Sequence, residues 1–547
     1  MAKVTGGQLV ARMLRAEGVQ TVFTLSGLHV APIYAGCVEE GIRVVDTRHE
    51  QAAAHAADAT ARLTRGVGVA VVTAGPGVTD ALTGVANASA ANVPVLLIGG
   101  AAPIANQSRG SLQEMEQVDL FTKITKWADR VPSAELIPSY FAKAFRTMMS
   151  GRPGPVFLEL AWDVVLQQVS DPKIPDAYRT AAQAAGDPTY VARAVELLGV
   201  AERPAIIAGS SVWWDDAAAV LGELARHANI PVFLNGAGRG CLPPDHPLFF
   251  QHTRKQALAQ ADVVIVVGTP LDFRLGYGDA FRKDAKLIQI DGDPTEIGRN
   301  RAVSVGIAGS SRLVLAQILG GLGTMPDRTA YVRDLREKEQ GKRERLAAHE
   351  GSDQVPIHHS RLAKELSDVA NDGHREPIFV ADGGNFVAMA AKTISLKTPG
   401  SWLDPGPLGC LGVGAPFAIA AKLVHPDRPV FVVQGDGSFG LNGFDFETAV
   451  RFKLPMVVVV GNDAAWGQIR LPQVAMYGED KSPGTQLAPT RYDRVVEAFG
   501  GWGKLVTEPE GIRPALQEAM ASGTVACVNV MLDPDAPAKS GMMGYAV

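Results

Sequence analysis

Cysteine is scarce in this chain, and its distribution excludes two kinds of scaffold. Cys37, Cys241, Cys410 and Cys527 lie far apart with no C-x-x-C spacing, so neither a zinc site nor a disulfide framework is expected; the four read as reduced thiols in or near a core. Long apolar runs are missing as well. No stretch reaches the roughly eighteen apolar residues that a membrane-spanning helix needs. The opening Met1-Ala2-Lys3-Val4-Thr5 lacks the apolar core of a signal peptide, which makes a cytoplasmic protein the expectation. Charge of one sign is also lacking: a net −5 with no basic run offers no footprint for nucleic acid or an anionic membrane. What remains is an ordinary globular composition over 547 residues, enough for about three domains with buried cores.

Strand-like and helical runs alternate along nearly the whole chain, the pattern of parallel sheets covered by helices on both faces. Thr5 and Gln8 are spaced as a capping box for a helix over 8–17. Strands are predicted at 22–25, 43–46, 68–72, 93–98 and 155–160, with a helix over 51–63 among them. Residues 166–189, rich in Pro, Ala, Gly and Asp, read as a linker. A second block has strands at 205–207, 232–234, 262–267 and 286–290, and the heavily charged run 327–350 reads as a solvated helix leading out of it. A third block opens at 377–380. The expectation is an α/β chain of three doubly wound parallel-sheet domains, at 1–165, 190–320 and 355–547, the outer two facing each other across a cleft.

The most informative run is Val430-Phe431-Val432-Val433-Gln434-Gly435-Asp436-Gly437-Ser438, followed by a second strand that ends in Gly461-Asn462-Asp463. Two oxygen ligands then stand at the ends of two adjacent strands, and a hard cation such as Mg²⁺ takes one or two carboxylates plus phosphate oxygens. Gly435 and Gly437 let the backbone come close to a phosphate. The plainer alternative is an ordinary strand-to-turn Gly-Asp-Gly. Glu50 opens an alanine-rich helix after Thr47-Arg48-His49, where burial would keep a proton available near neutral pH; a carboxylate on a helix dipole is the rival reading. Thr73-Ala74-Gly75-Pro76-Gly77 is a glycine-rich loop after a strand, suited to close approach by a ligand.

Together these pieces resemble the thiamine-diphosphate enzymes over essentially the whole chain. The resemblance implies a pyrimidine-binding, a central and a diphosphate-binding domain. Arg48-His49-Glu50 matches the glutamate that acts on the cofactor's aminopyrimidine from a facing subunit, so at least a homodimer is implied, and a homotetramer is expected. Gly435-Asp436-Gly437-Ser438 matches the first metal motif. The second departs from the common Asn-Asn: Asp463 stands in the ligand position, with the Ala465 carbonyl as the third protein ligand of Mg²⁺. Gly75, Gly384, Asn385, Trp466 and Gly467 fall at cofactor-binding positions. In Gly406-Pro407-Leu408-Gly409-Cys410-Leu411-Gly412, the Gly409 carbonyl and Leu411 amide would meet the pyrimidine, and the Leu411 side chain would wedge between the rings.

Within the superfamily, Ser26-Gly27-Leu28-His29 and Leu112-Gln113 resemble benzaldehyde lyase, which makes His29 a candidate proton shuttle, Gln113 a polar anchor and Leu28 a substrate contact. Other runs, among them Leu271-Asp272-Phe273-Arg274 and Asn462-Asp463-Ala464-Ala465-Trp466, are similar to the 2-hydroxyacyl-CoA lyases of the acetolactate-synthase-like branch. There Arg254 would contact coenzyme A and Gln468 the substrate. The expected activity is cleavage of a 2-hydroxyacyl-CoA or an acyloin, with carboligation as the reverse; an acetolactate synthase acting on pyruvate, or benzaldehyde lyase proper, is the alternative. The central block is expected to need no FAD but leaves room for a nucleotide such as ADP, with Asp291 and Asp293 as ribose contacts or, equally, turn formers. The tail 540–547, apolar and punctuated by Gly541 and Gly544, reads as a lid over the cleft.

Overall fold

The computed structural model describes residues 3–175, 178–373 and 375–536, so the tail read as a lid lies outside the described residues. Three parallel sheets carry the chain. The first runs Arg43–Asp46, Thr21–Thr24, Gly68–Val72, Val95–Ala101, Val156–Ala161, Trp127–Val131. The last runs Trp402–Leu403, Ile378–Ala381, Val430–Gly435, Met456–Asn462, Val525–Met531, Trp502–Val506. Numbered in chain order within each sheet, both read 2-1-3-4-6-5. Between them in sequence lies a five-stranded sheet, Val232–Leu234, Ala205–Ala208, Val263–Val267, Lys286–Asp291, Val305–Ala308. The expected fold class holds.

Alternation along the strands explains the layering, because successive side chains point to opposite faces. Val69 and Val71 enter one apolar cluster with the helices Gly6–Ala16 and Ile137–Met149, while Ala70 and Val72 enter another. That second cluster does not stop at the first sheet: it continues through helix Glu50–Thr64 into helix Gly414–Val424 and the last sheet. Alanines at 53, 54, 56, 57 and 61 meet Ala415, Ala418 and Ala421 there, and their small size lets the two helices close on one another. Arg62 ties the blocks further. It is paired with buried Asp58 at 2.6 Å, donates to the Asp404 carbonyl at 2.6 Å, and its own carbonyl accepts from Trp213 Nε1 at 2.7 Å.

Two expectations need correcting. The charged helix Thr329–Glu350 is not simply solvated: Tyr331, Leu335, Glu339 and Leu346 are buried, and the Glu339 carboxylate accepts the N–H groups of Gln251, His252 and Thr253. A helix with so many charges hides its inward stripe, since only every third or fourth residue must be apolar. Within 166–189, Gln168–Ser170 forms a short antiparallel pair with Lys3–Thr5, so part of the expected linker is structured. The capping box is present, with the Gln8 N–H donating to Thr5 Oγ1 at 3.2 Å and the Thr5 N–H to Gln8 Oε1 at 2.9 Å.

Candidate active site

In an open parallel sheet, ligands bind at the carboxyl ends of the strands where the strand order reverses. In the first sheet that point lies between Thr21–Thr24 and Gly68–Val72. The chain leaves Val72 through Thr73, Ala74 and Gly75 into helix Pro76–Ala90. Gly75 has φ 61° and ψ −110°, which a side chain would not tolerate. Around this loop the structure gathers three of the sequence candidates. His29 Nδ1 lies 3.1 Å from Thr73 Oγ1. Gln113, itself at φ 61°, packs its main chain on Gly75, where an added Cβ would stand 2.9 Å from the Gln113 carbonyl. Glu50 begins its helix one layer away, with Oε1 3.2 Å from a Cβ built on Gly77.

The electrostatics of this half differ from those of solvated side chains. Burial pushes the Glu50 carboxyl above its ordinary range, with the charge of Asp80 a lesser contribution. Among the described residues that carboxyl has no hydrogen bond from another side chain. Burial lowers the His29 pKa, so the imidazole is neutral near pH 7 and able to accept a proton. Leu28, next to it, is 72% exposed.

The second half stands at the matching point of the last sheet, where Ile378–Ala381 meets Val430–Gly435. Asp436 and Asp463, at the ends of neighbouring strands, are both buried. Burial raises both carboxyls, and each is raised or held by the other's contact; for Asp463 the charge of Asp436 is the second cause. Asp436 Oδ2 accepts the Ala465 N–H at 3.1 Å and Asp463 Oδ2 accepts Asn385 Nδ2 at 3.2 Å. Two touching buried carboxylates cannot both keep their charge without a counter-cation, and an all-oxygen donor set fits a hard divalent ion. Backbone closes tightly around them. Gly384, at φ 124°, would put a Cβ 2.9 Å from Gly435 Cα, and one on Gly437 would stand 2.6 Å from the Trp466 ring. Ser438 Oγ accepts the Gly383 N–H at 3.0 Å, and Leu411 lies against Gly383, where a Cβ would fall 2.1 Å from its Cδ2. Gly409 is open, Gly467 is packed against Asn385 and Asp463, and Gln468 is half-buried one residue on. Gly435 to Gly440 also spells G-x-G-x-x-G at a strand-to-helix junction, but its second position carries the buried Asp436, which would repel a pyrophosphate in the absence of a cation.

The contacts recorded for Glu50, with Gly77, His49 and Asp80, fall in the first block, and those of Asp436 and Asp463, with Ala465 and Asn385, fall in the last. Arg254 lies apart from both, half-buried on helix Arg254–Gln260. Asp291 pairs with Arg152 at 3.2 Å and accepts the Asp293 N–H at 2.9 Å, while Asp293 accepts the Thr295 N–H and hydroxyl, so each of the two makes a turn contact.

One strand-end glycine cradle lies beside buried Glu50 and the other beside the Asp436–Asp463 pair, and the chain belongs to the thiamine pyrophosphate enzymes. Residues 4–120 match the N-terminal TPP binding domain of that family, 191–318 its central domain and 382–530 its C-terminal TPP binding domain. It is 41% identical over 531 residues, 96% of each chain, to the acetolactate synthase large subunit IlvG of Mycobacterium tuberculosis. It is 37% identical over 587 residues to 2-hydroxyacyl-CoA lyase 2 of Caenorhabditis elegans, covering 97% of this chain and 90% of that one. To the human 2-hydroxyacyl-CoA lyase 2 it is 38% identical over 546 residues, covering 92% and 85%. The protein is a thiamine-diphosphate-dependent enzyme.

Sequence reasoning missed several residues that hold this site. Asp382, buried and pushed up to about 6 by burial, accepts the N–H groups of Gly412 at 3.0 Å and Gly414 at 2.7 Å, and so pins the segment carrying Leu411. Asp445 accepts the Arg48 N–H at 2.9 Å, two residues before Glu50. Glu159 and Gln117 lie beneath the Thr73 loop. The available signal was a charge inside an apolar run: Glu159 interrupts Val156–Ala161.

Proposed function

We propose that the chain is a carbon–carbon lyase and carboligase that cleaves a 2-hydroxyacyl-CoA, or an acyloin, beside its hydroxyl and runs the reverse condensation. The observation that carries the choice of a coenzyme A thioester is a cavity of about 1150 Å³ between the central sheet, helix Thr329–Glu350 and helix Asn385–Thr393. Arg239, Arg254, Lys255, Lys342, Arg345 and Lys392 line it, while Glu339 is its one carboxylate among the described residues and is taken up by backbone N–H groups. The Arg254 guanidinium has no hydrogen bond or ion pair among the described residues; burial, then the charges of Arg239 and Arg274, lower its pKa. An arginine fork left open in a basic chamber suits phosphate. Helix Asn385–Thr393 links this chamber to the chemistry: Asn385 touches Asp463, and Lys392, about 10 Å along at 1.5 Å per residue, lines the cavity.

Bound thiamine diphosphate supplies the carbanion equivalent that attacks a carbonyl. In this reading Asp436, Asp463 and the Ala465 carbonyl would hold Mg²⁺, and Gly384, Asn385, Gly435, Gly437, Ser438, Trp466 and Gly467 would surround the diphosphate. Gly75, Gly409 and Leu411 would receive the pyrimidine, with Leu411 backed by Gly383. Glu50 keeps a proton at its carboxyl for the pyrimidine ring. His29 accepts the proton of the substrate hydroxyl, Gln113 offers its amide beside it, and Leu28 and Gln468 contact the acyl portion. Because the contacts recorded for Glu50 and for Asp436 fall in different blocks of the chain, this reading takes a homodimer as the smallest complete enzyme and a tetramer as the expected assembly.

Incubating the cofactor-loaded protein with a 2-hydroxyacyl-CoA, benzoin and pyruvate, and identifying the products, tests this. Aldehyde and formyl-CoA-type products from the thioester, with KM raised about tenfold in Arg254→Gln at similar kcat, are expected. Pyruvate consumed with release of CO₂ and no thioester cleavage would favour the second reading, acetolactate synthesis, to which the Mycobacterium relative points. Benzoin alone as substrate would favour a benzaldehyde-lyase reading, for which His29 and Gln113 speak.

A further inference from the structure

We infer that Gln117, held by Glu159 and Arg130, is a positioning residue for His29, an inference that rests on the proton-accepting role given to His29 above. Gln117 is buried just ahead of the short helix Val118–Phe121. Its Nε2 donates to the Gly100 carbonyl at 2.7 Å and to Glu159 Oε2 at 2.8 Å, and its Oε1 accepts the Gly75 N–H at 3.0 Å. Glu159 is fully buried in Val156–Ala161, and its other oxygen accepts Nε–H of Arg130 from the neighbouring strand Trp127–Val131. This pairing locks the amide. Flipping it would turn Oε1 toward two acceptors and the NH₂ toward a donor, leaving buried polar groups unpaired.

Both backbone groups that Gln117 grips support the His29 ring. Gly100 lies against the root of that side chain: a Cβ there would stand 2.7 Å from His29 Cβ and 3.4 Å from the Ala74 nitrogen. Gly75 is two residues beyond Thr73, whose hydroxyl meets His29 Nδ1. One amide therefore fixes the backbone at the root of the side chain and the loop beside it, and the charge pair behind the amide decides which way it faces. Gln117 itself has no hydrogen bond to His29, so its action passes through Gly75 and Gly100.

Two variants of the holoenzyme test this. Gln117→Leu is close in size but has no donor or acceptor; Gln117→Glu keeps an acceptor for Gly75 and sets a second carboxylate against Glu159. The pH dependence of His29 carbethoxylation by diethyl pyrocarbonate, followed by peptide mass spectrometry, reports on the imidazole without reference to activity. Exchange of the cofactor C2 proton reports on the Glu50 arm. Both variants are expected to change the His29 labelling rate about threefold or more and to lower kcat about tenfold, with C2 exchange within about twofold of the parent, because a displaced general base loses part of its 10²–10⁴-fold contribution. Unchanged His29 labelling in folded Gln117→Glu overturns the inference, as does an equal fall in C2 exchange and kcat, which marks general loosening. If Gln117→Leu does not fold, Gln117→Glu alone decides. His29→Asn is measured alongside: full activity there together with altered labelling in the Gln117 variants removes the proton role of His29 while supporting its positioning by Gln117.

Discussion

Glu50 and Asp445 are both buried carboxyls, yet their surroundings give them different consequences. Glu50 has no side-chain hydrogen-bond partner among the described residues, so replacing it by Gln removes its proton chemistry and no bond among them to another side chain. We expect kcat to fall by about 10²-fold or more while the thermal melt stays level or rises slightly. Asp445 accepts the Arg48 N–H through one oxygen and leaves the other unpartnered, and burial pushes it up to about 7. A carboxyl whose folded pKa is raised favours the folded state fully below its unfolded value, near 4, and that contribution is lost as the pH rises through about 7. Asp445→Asn should therefore melt like the parent at pH 4 and above it at pH 8, by a margin on the order of 2–4 kcal/mol at most. Melting curves of the two proteins across that range check it; a constant offset would contradict it.

At the scale of elements, helix Glu50–Thr64 does the most. It presents Glu50 at its first turn, packs its alanines on Gly414–Val424, and near its end Asp58 and Arg62 reach Asn87, Asp404 and Trp213. Asp58→Asn leaves Arg62 buried without its counter-charge, and breaking such a pair costs about 3 kcal/mol or more. A lower melting temperature with a changed Trp213 fluorescence is the expected result. Elements of this kind were legible in the sequence where apolar period and glycine punctuation coincide, as at 68–72 with Gly75 and at 430–435 with Gly437. Trp127–Val131 and Trp502–Val506 were not, because edge strands carry polar residues and break the apolar run. The inward stripe of Thr329–Glu350 was hidden by its charges. Gln117 and Asp382 are invisible for another reason: a buried amide or carboxylate matters only through the backbone groups that the fold brings to it.

For the whole molecule, the separation of Glu50 from Asp436 has a countable consequence. Glu50→Gln and Asp436→Asn should each be inactive alone. Mixed at equal amounts and allowed to exchange subunits, they should recover about a quarter of the parent rate, since half of the resulting dimers are mixed and each mixed dimer has one intact site of two. No recovery after demonstrated subunit exchange would mean that the site is built within one chain. Asp58→Asn, by contrast, should not be complemented in this way, because the bonds it breaks lie within one chain.

The repeated strand order of the two outer sheets gives the protein an internal control. Each strand of the first sheet has a counterpart at the same place in the order of the last, but Glu50 follows a strand of the first sheet and the Asp436–Asp463 pair stands at the strand ends of the last. A core substitution tried at both counterparts separates what the architecture demands from what the chemistry demands, within one molecule and under one set of conditions.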